Sequence, residues 1–425
     1  MTLDRLILTN FKNYSEADIE LCGNVNCFVG NNGAGKTNLL DAVYYLSFSK
    51  SYFNPVDSQN IRFGADFFAI HGHYGNDVVS CILRAAQGKQ MRWNKKAYKT
   101  LAEHIGKVPL VMVSPADSQL ITGGSDVRRK FVDGVISQVD NVYLEHLIQY
   151  NKAIEQRNRL LKQMWEDRQW DEGMVSVWDD QLCRHGDVVY AARARFIEEF
   201  TPHFKEYYHW IAGADEPGCI VYQRNEQPLP MQLIESRQAD RYAQYTTCGP
   251  HKDDLLFLLN EECRDNEECG MRNEKCKDNE ECGMRNEEFV GAPNNSSFLI
   301  PHSSLKNNSS FLTPHSSLKN NSSFSLKRFG SQGQQKSFAL ALKLAQFQYL
   351  LERTGQKPIL LLDDIFDKLD MLRVQQLIAL VGSDRFGQVL LTDTQPGRVQ
   401  GIFDQLPNLE HRIFEVKNGQ CYAGR

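Results

Sequence analysis

Hydrophobic and polar residues alternate with a period of two through much of the first 120 residues, which is typical of half-buried β-strands. Runs of this kind are separated by short turns. They fall at residues 3–11, 17–23, 25–30, 69–75, 78–85 and 107–117. The N-terminal region is therefore predicted to be a β-rich frame.

The pattern changes near residue 125, where apolar side chains recur every three or four positions. Val135, Val139 and Leu147 belong to this series, and the same spacing continues to about residue 212. Such spacing indicates amphipathic helices. We expect residues 125–212 to form a helical insertion within the β-rich frame.

Strands and helices alternate again in the C-terminal part of the chain. The pattern predicts strands at 218–223 and 253–260, a long helix after Phe329, a strand at 357–366, a helix at 370–382, a strand at 387–394 and a strand–turn–strand at 411–424. This order is typical of an α/β fold with a parallel core. We predict one lobe from residues 1–120 and 325–425, and a helical second lobe with returning strands from residues 121–260.

Residues 261–323 consist of short repeats. DNEECGMRNE occurs twice and NNSSF three times, each with a period of thirteen residues. No apolar face accompanies this period, so we expect a disordered insert. Its cysteines are spaced too widely for a zinc ribbon, which makes a zinc site the weaker alternative. Codons of one repeat, read on the complementary DNA strand, can encode the other repeat. We therefore interpret the insert as an inverted DNA repeat that entered the gene in frame.

Composition places the chain among ordinary globular proteins. It has 425 residues, 41% hydrophobic and 24% charged, and a formal net charge of −5. The N-terminus lacks the apolar run of a signal peptide, and no window approaches the ~20 apolar residues of a membrane-spanning helix. We expect a cytoplasmic protein with no membrane partner. Because the net charge is weakly negative, any DNA contact has to come from local basic clusters.

A phosphate-binding loop lies between the predicted strand at 25–29 and the helix that follows it. Its sequence GNNGAGKT matches the pattern G-x-x-x-x-G-K-[ST] at every fixed position. Backbone N–H groups would cradle the phosphates of ATP, Lys36 would contact the β- and γ-phosphates, and the Thr37 hydroxyl would hold Mg²⁺. A glycine-rich turn without a ligand is the simpler alternative. The candidate ATP-binding residues of the loop are Gly30, Asn31, Asn32, Gly33, Ala34, Gly35, Lys36 and Thr37.

Two acidic residues follow the apolar run at 359–362. Ligands gather at the carboxyl ends of buried parallel strands. Asp363 is therefore predicted to hold Mg²⁺ through water, and Asp364 to orient or activate the attacking water. An ordinary charged strand end is the alternative interpretation.

A polar turn, Ser331 to Gln334, precedes the long helix in the C-terminal part of the chain. A glycine-exposed helix N-terminus is a second anion site, although Ser331 could also act only as an N-cap. The order of phosphate loop, polar turn and acidic strand is similar to that of ATP-binding-cassette (ABC) ATPases. In that class the turn completes the ATP pocket of a neighbouring subunit. The resemblance predicts an ATP-dependent homodimer in which Ser331, Gly333 and Gln334 act in trans.

A longer series of motifs narrows the class. It runs LILTNFKNY, FVGNNGAGKTNLLDAVYYLSFSKSY, SPADSQLITGGSDVRRKFVDGVIS, TTCGPHKDDLLFLL, RFGSQGQQKSFALALKLAQ and LLLDDIFDKLD. The chain resembles the RecF family of bacterial recombination mediators, and the resemblance covers essentially everything except residues 261–323. It implies an ABC-type P-loop ATPase head, with a mixed β-sheet lobe, an inserted helical second lobe and no long coiled coil.

The same resemblance implies what the protein does. It implies dimerisation on gapped or single-strand/double-strand junction DNA, and slow, DNA-stimulated hydrolysis of ATP. It also implies a role with RecO and RecR in loading RecA during recombinational repair and replication restart, a link to the SOS response and association with the nucleoid. Asn10, Phe11, Lys12 and Asn13 would then lie near the base and sugar of ATP. Asp367 and Asp370 would face the other subunit.

Two features depart from transporter-type ABC ATPases. The switch histidine after the last core strand is absent, and the sequence leaves Thr392, Asp393 and Thr394 as candidates. The second acid is Asp364 rather than glutamate, and its shorter reach fits slow turnover. An ATPase subunit of a transporter remains one alternative function. A structural DNA-binding protein that uses ATP only as a ligand is another.

Three basic clusters are candidates for a DNA surface, because phosphate neutralisation dominates affinity for DNA. The residues singled out are Arg128, Arg129, Lys130, Arg157 and Arg159, and the other cluster members are Arg92, Lys95, Lys96, Lys99, Lys152 and Lys162. For each cluster a solvated surface without a ligand is the alternative. No base-reading motif is evident, so we expect recognition of backbone and shape.

Overall fold

The computed structural model describes residues 1–213, 217–259, 324–365, 385–404 and 409–423. Its central sheet is mixed and has the strand order β15-β14-β3-β13-β12-β8 in these residues. The strands are β3 (Val25–Val29), β8 (Leu110–Val113), β12 (Ile359–Leu362), β13 (Val389–Asp393), β14 (His411–Lys417) and β15 (Gln420–Ala423). β15 pairs antiparallel with β14, and the other neighbours pair parallel. The apolar runs of the C-terminal sequence therefore form a parallel core, as predicted.

An antiparallel sheet accounts for the alternating pattern of the N-terminal region. Its strands are β1 (Arg5–Phe11), β2 (Tyr14–Glu20), β4 (Phe67–Tyr74), β5 (Asp77–Arg84), β6 (Gly88–Trp93) and β7 (Lys96–Ala97), in the order β2-β1-β4-β5-β6-β7. Helix α1 (Lys36–Phe48) lies between this sheet and one face of the central sheet, and the three share a hydrophobic core. Burial from both sides explains why α1 has almost no polar face.

The helical insertion begins after β8. Its helices are α2 (Ser118–Thr122), α3 (Ser125–Ile136), α4 (Asn141–Glu166), α5 (Glu172–Ala212) and α6 (Leu229–Ala243). The helical region predicted from residue 125 begins with two separate helices, α3 and α4, because Asp140 leaves helical geometry and accepts a hydrogen bond from the Tyr143 amide as the N-cap of α4. Strands β9 (Gly218–Gln223), β10 (Asp254–Leu259) and β11 (Phe324–Ser325) form a small antiparallel sheet beside it.

One long helix joins the lobes. After the short α7 (Leu326–Phe329), α8 (Gln332–Thr354) packs against α5 and β8, and α9 (Pro396–Phe403) follows β13. Every residue of α8 from Ser337 to Phe347 is buried. The core around α8 also contains side chains of α5 and of the second face of the central sheet. The predicted long helix after Phe329 is thus the element that ties the second lobe to the ATPase lobe.

Two predictions fall outside the described residues: the helix at 370–382 and the disordered insert at 261–323. Asp367 and Asp370 lie outside them as well. Within the part of the chain that the structure describes, no helix combines the length and apolar character needed to cross a bilayer.

Candidate nucleotide-binding site

The phosphate-binding loop, residues 30–37, connects the buried strand β3 to helix α1. Gly35 has φ 117°, and a Cβ there would collide with the Asn13 carboxamide, so the turn requires glycine. Asn31, Asn32 and Gly33 are exposed, whereas Ala34 is buried. The loop is therefore open to solvent on one side and anchored on the other, which is the arrangement that a phosphate ligand needs.

The Lys36 side chain folds back over this loop. Its Nζ donates to the carbonyl oxygens of Gly30, at 2.8 Å, and Asn31, at 3.1 Å. Lys36 is only 5% exposed. Both acceptors are neutral, so a phosphate could replace them with a stronger, charge-assisted hydrogen bond.

Three strand ends bring the candidate Mg²⁺ ligands together. β13 lies between β3 and β12 in the sheet, so side chains after all three strands meet at one edge. The Thr37 hydroxyl donates to Asp363 Oδ1 at 2.8 Å, and the Thr392 hydroxyl donates to the same oxygen at 2.9 Å. Hydroxyl and carboxylate oxygens are ligands that Mg²⁺ prefers, so Thr37 and Asp363 fit this ion.

Burial raises the pKa of Asp363, and the hydrogen bonds from Thr37 and Thr392 oppose that rise. The carboxyl group is only 5% exposed. A buried carboxylate without a full counter-charge gains from a bound cation, because the ion replaces the lost hydration. The electrostatics therefore agree with the metal role expected of Asp363.

Asp364 adopts a left-handed backbone conformation with φ 50°, and its amide donates to the Thr392 hydroxyl at 2.9 Å. Non-glycine residues seldom adopt this conformation, and it often accompanies function. Thr392 thus contacts both acidic residues. By contrast, the Asp393 carboxylate is held by Arg398, and Thr394 is half-exposed. Of the three switch candidates, Thr392 is the one placed beside the acids.

The turn between β1 and β2 clasps the phosphate-binding loop. Asn13 donates through Nδ2 to the Ala34 carbonyl at 3.1 Å, and the Tyr14 hydroxyl donates to the Gly35 carbonyl at 3.1 Å. Lys12 Nζ lies 2.6 Å from Asp41 Oδ2 of α1. The structure therefore brings Asn13 to the loop, whereas the Lys12 ammonium is held by Asp41 of α1.

Phe11 differs from its neighbours in this turn. Its ring is fully buried against Tyr45 and Phe68, with centroid distances of 6.0 and 5.2 Å. The Phe11 ring therefore belongs to the core, and the position of this residue near the base and sugar of ATP stays a prediction.

The polar turn before α8 forms a capping box. Ser331 Oγ accepts from the Gln334 amide at 3.2 Å, and the Gln334 side chain accepts from the Ser331 amide at 2.8 Å. Ser331 and Gly333 are exposed. In the single chain Ser331 therefore acts as an N-cap, and the N-terminus of α8 remains exposed.

A buried polar network that the motifs did not reveal links this site to α8. Lys343 Nζ of α8 lies 3.0 Å from Asp117 Oδ1, and the Tyr52 hydroxyl donates to the same oxygen at 2.5 Å. The Tyr52 amide in turn donates to Asp41, the partner of Lys12, at 2.7 Å. A cavity of about 200 Å³ lies between Asp363, Asp117 and α8. No sequence motif marks these side chains, because each contact joins distant segments.

Two of the five predicted DNA-binding residues are buried. Arg128 donates to both carboxylate oxygens of Asp254, at 2.6 and 2.8 Å, and is 7% exposed. Arg157 is 0% exposed and donates to Asp179 at 2.7 Å and Asp240 at 2.6 Å. The prediction that Arg128 and Arg157 contact DNA is wrong for this fold, because both side chains are buried and form internal ion pairs.

The other three residues have different surroundings. Arg129 is half-buried and donates to the Asp253 carbonyl at 2.5 Å. Lys130 is exposed and lies 3.4 Å from Asp126, and Arg159 is exposed on α4. Lys130 and Arg159 therefore stay available for a ligand outside the chain, and Arg129 is available only in part.

The chain is similar to known proteins over nearly its whole length. A family model described as an AAA domain matches residues 5–172. The chain is 41% identical to a DNA replication and repair protein RecF from Phocaeicola vulgatus, covering 99% of this chain and 98% of that one. It is 40% identical to the protein of that name from Flavobacterium johnsoniae, covering 98% and 100%.

Solved structures show the same fold. A structure of the recombination mediator protein RecF with ATP in the RecFOR pathway aligns with a TM-score of 0.77 at 24% identity, covering 100% of this chain and 98% of that one. An Smc head bound to the C-winged helix domain of ScpA aligns with a TM-score of 0.50 at 12% identity, covering 100% and 97%. The fold predicted from sequence, an ABC-type ATPase head, is confirmed.

Proposed function

The chain belongs to the RecF family of DNA replication and repair proteins, and on that premise we propose that it is an ATP-dependent DNA-binding protein. Two copies clasp two ATP molecules between them and close on gapped or junction DNA. The observation that carries this proposal is the convergence of Lys36, Thr37 and Asp363 at one sheet edge.

ATP binds at the phosphate-binding loop. Residues 30–35 offer backbone N–H groups and the α1 N-terminus to the phosphates, and Lys36 exchanges its two carbonyl acceptors for phosphate oxygens. Thr37 and Asp363 hold Mg²⁺, which neutralises charge on the phosphates. Asn13 fixes the loop from the side of the β1–β2 turn, and Lys12 ties the same turn to α1 through Asp41.

Asp364 positions the water that attacks the γ-phosphate. Its backbone is held by the Thr392 hydroxyl, so we assign the switch role to Thr392. The aspartate side chain of Asp364 is shorter than the glutamate of transporter-type ABC ATPases, and this shorter reach supports slow hydrolysis of ATP. DNA then stimulates this slow hydrolysis. ATP binding would then close the dimer, and hydrolysis would time its release.

The exposed turn before α8 completes the ATP pocket of the partner. Ser331 and the α8 N-terminus supply hydrogen-bond donors and a favourable dipole to the γ-phosphate. Gly333 leaves the backbone accessible, and Gln334 orders the turn through the capping box. Each copy donates this turn to the other, so neither site is complete alone.

We further propose the cellular role of the dimer. It recognises single-strand/double-strand junctions in the cytoplasm, at the nucleoid, partly through Lys130 and Arg159, and works with RecO and RecR to load RecA. What supports this step is the family and the name of a structural relative, which places that protein in the RecFOR pathway. Replication restart and the SOS response follow from the same role.

Sedimentation velocity tests the proposal. Wild-type protein should sediment as a monomer without nucleotide and as a dimer with ATP, Mg²⁺ and a gapped oligonucleotide. Lys36→Arg should stay monomeric in all conditions. A wild-type protein that remains monomeric with ATP and gapped DNA would contradict the proposal.

A further inference from the structure

The second lobe contains a polar pocket outside the ATP site. It lies between the segment that follows β9 and the turn from Thr247 to Asp254, and its volume is about 490 Å³. Small-molecule sites in proteins commonly have volumes of this order, about 300–1,000 Å³. We call it the second-lobe pocket. None of the functions proposed above uses it.

Two cations stand at its mouth. Arg224 and Lys252 are both exposed, and each lies over an aromatic ring: Tyr190 at 5.8 Å and Tyr245 at 4.8 Å. Among the described residues, neither makes an ion pair within 4.0 Å. Their charge is thus available to a ligand from outside the chain.

The acids in the pocket wall are already neutralised. Asp254 is bound by both nitrogens of the Arg128 fork, at 2.6 and 2.8 Å. Asp253 accepts from the Tyr222 hydroxyl at 2.5 Å and lies 3.6 Å from Arg193. The pocket therefore presents a net positive mouth, even though it contains as many carboxylates as cations.

Two polar atoms at the inner end lack partners. Gln232 is 2% exposed, and its Nε2 donates to the Gln227 carbonyl at 2.7 Å, but its Oε1 has no hydrogen bond. The Tyr190 hydroxyl is also buried, and it lies beside the Gln232 side chain without a hydrogen bond of normal geometry. Buried polar atoms are seldom left unsatisfied. A ligand that offers both a donor and an acceptor would satisfy the pair, and a nucleobase edge offers both, whereas a phosphate offers acceptors only.

An exposed aromatic ring lies beside the mouth. Tyr245, whose ring is 4.8 Å from Lys252 Nζ, is 48% exposed. Exposed aromatic side chains beside cations are typical of surfaces on which unpaired bases stack. The mouth is therefore suited to a sugar–phosphate group and to a second base that stacks next to the base held inside the pocket.

We propose that the second-lobe pocket binds one unpaired nucleotide of gapped DNA, with its base facing Tyr190 and Gln232 and its phosphate at Arg224 and Lys252. This proposal rests on the DNA-binding function proposed above and names where the unpaired strand is read.

The test compares a gapped duplex with a continuous duplex of equal length, at one fixed salt concentration, by fluorescence anisotropy. The double variant Arg224→Glu/Lys252→Glu should lose at least about tenfold in affinity for the gapped probe and about twofold for the continuous probe. Arg62→Glu/Arg84→Glu, an equal charge change at two exposed positions of the ATPase lobe outside the basic clusters, is the control and should not alter the ratio of the two affinities.

A second variant separates base recognition from charge. Tyr190→Phe removes only a hydroxyl that makes no hydrogen bond of normal geometry, so the thermal midpoint should change little. Its affinity for the gapped probe should fall about threefold or more, with the continuous probe unaffected. Loss of the gap preference without loss of folding would support the pocket.

The outcomes distinguish the two proposals. If the wild type binds gapped and continuous probes equally, the proposed recognition of gaps fails and this inference fails with it. If the wild type prefers the gap and both pocket variants keep that preference, only the pocket assignment is overturned. Variants that keep the preference for gapped DNA but lose binding to an acidic protein partner would also overturn it, in favour of a protein-docking pocket.

Discussion

The ATP site and the second lobe both bury cations, but they pair them differently. Lys36 is held by two neutral carbonyl oxygens, whereas Arg157 is held by two carboxylates. Neutral acceptors leave a cation free to exchange partners, and buried carboxylates do not. The charge of a residue in the sequence therefore does not show whether its cation is available to a ligand. That availability depends on the partner that the fold supplies to the cation.

The largest expected effect comes from removal of Arg157, the buried cation that two carboxylates hold. Arg157→Met would leave Asp240 buried without its counter-charge and Asp179 with only Arg237, at 3.4 Å, and should lower the free energy of unfolding by about 3–5 kcal/mol. Urea denaturation measures this. Arg159→Met, on the same helix but exposed, should change it by less than about 0.5 kcal/mol. Equal effects of the two substitutions would contradict the assignment of Arg157 to the scaffold.

A second prediction concerns the acid beside the ATP site. Asp364→Asn should lower the rate of ATP hydrolysis by about 100-fold or more, because the carboxylate that orients water is lost. ATP binding should remain, since asparagine also tolerates the left-handed backbone at φ 50°. Asp404→Asn, an exposed acid on the same lobe, serves as the control. Unchanged hydrolysis in Asp364→Asn would favour a protein that uses ATP only as a ligand.

The second lobe also contains a group that should make its stability depend on pH. Burial lowers the pKa of His251 to about 4. The neutral ring is satisfied, because Nδ1 accepts from Tyr150 at 2.8 Å and Nε2 donates to the Thr246 carbonyl at 3.1 Å. The unfolded chain binds this proton near pH 6.5, so stability should fall by about 3 kcal/mol as pH drops from about 6.5 to 4.

Comparison of wild type with His251→Gln isolates this effect. Burial raises the pKa of Asp253 to about 6, which acts in the opposite direction because the folded chain holds that proton more tightly. Asp253 is present in both proteins, so its contribution cancels in the difference. The difference in free energy of unfolding should depend on pH between about 4 and 6.5. Parallel curves would show that His251 is not responsible.

The smallest effect is expected at Lys36 itself. Lys36→Met gives up two hydrogen bonds to neutral carbonyls, so the free energy of unfolding should change by only about 1 kcal/mol, while ATP should no longer raise the thermal midpoint. Lys343→Met in the same lobe is the counter-test. Its ammonium is paired with buried Asp117, and its loss should cost about 3 kcal/mol. Similar losses of stability in both variants would contradict the proposed difference between a lysine with neutral acceptors and a lysine paired with a buried carboxylate.

Sequence patterns predicted those parts of the protein in which local chemistry decides the structure. The phosphate-binding loop, the acidic strand end and the N-cap at Ser331 are each defined by consecutive residues, and their local geometry follows from glycine torsions and helix ends. The lobes followed from the change of hydrophobic period near residue 125. These features needed no knowledge of distant contacts.

Features that depend on distant contacts were missed. The partners of Arg128 and Arg157 lie 126, 22 and 83 residues away, so their burial could not be predicted from the basic runs that contain them. The link from Lys12 through Asp41, Tyr52 and Asp117 to Lys343 is equally non-local. The choice of Thr392 among three candidates required the register of β13 beside β12.

The central claim is that each ATP is held by the phosphate-binding loop of one copy and the α8 turn of the other. Mixing two inactive variants, Lys36→Arg and Ser331→Arg, tests it most directly. A mixed dimer contains one complete site out of two, so the mixture should regain ATPase activity that neither variant shows alone, up to about half of the wild-type value. A mixture that stays as inactive as either variant alone, although mixed dimers form, would contradict the account.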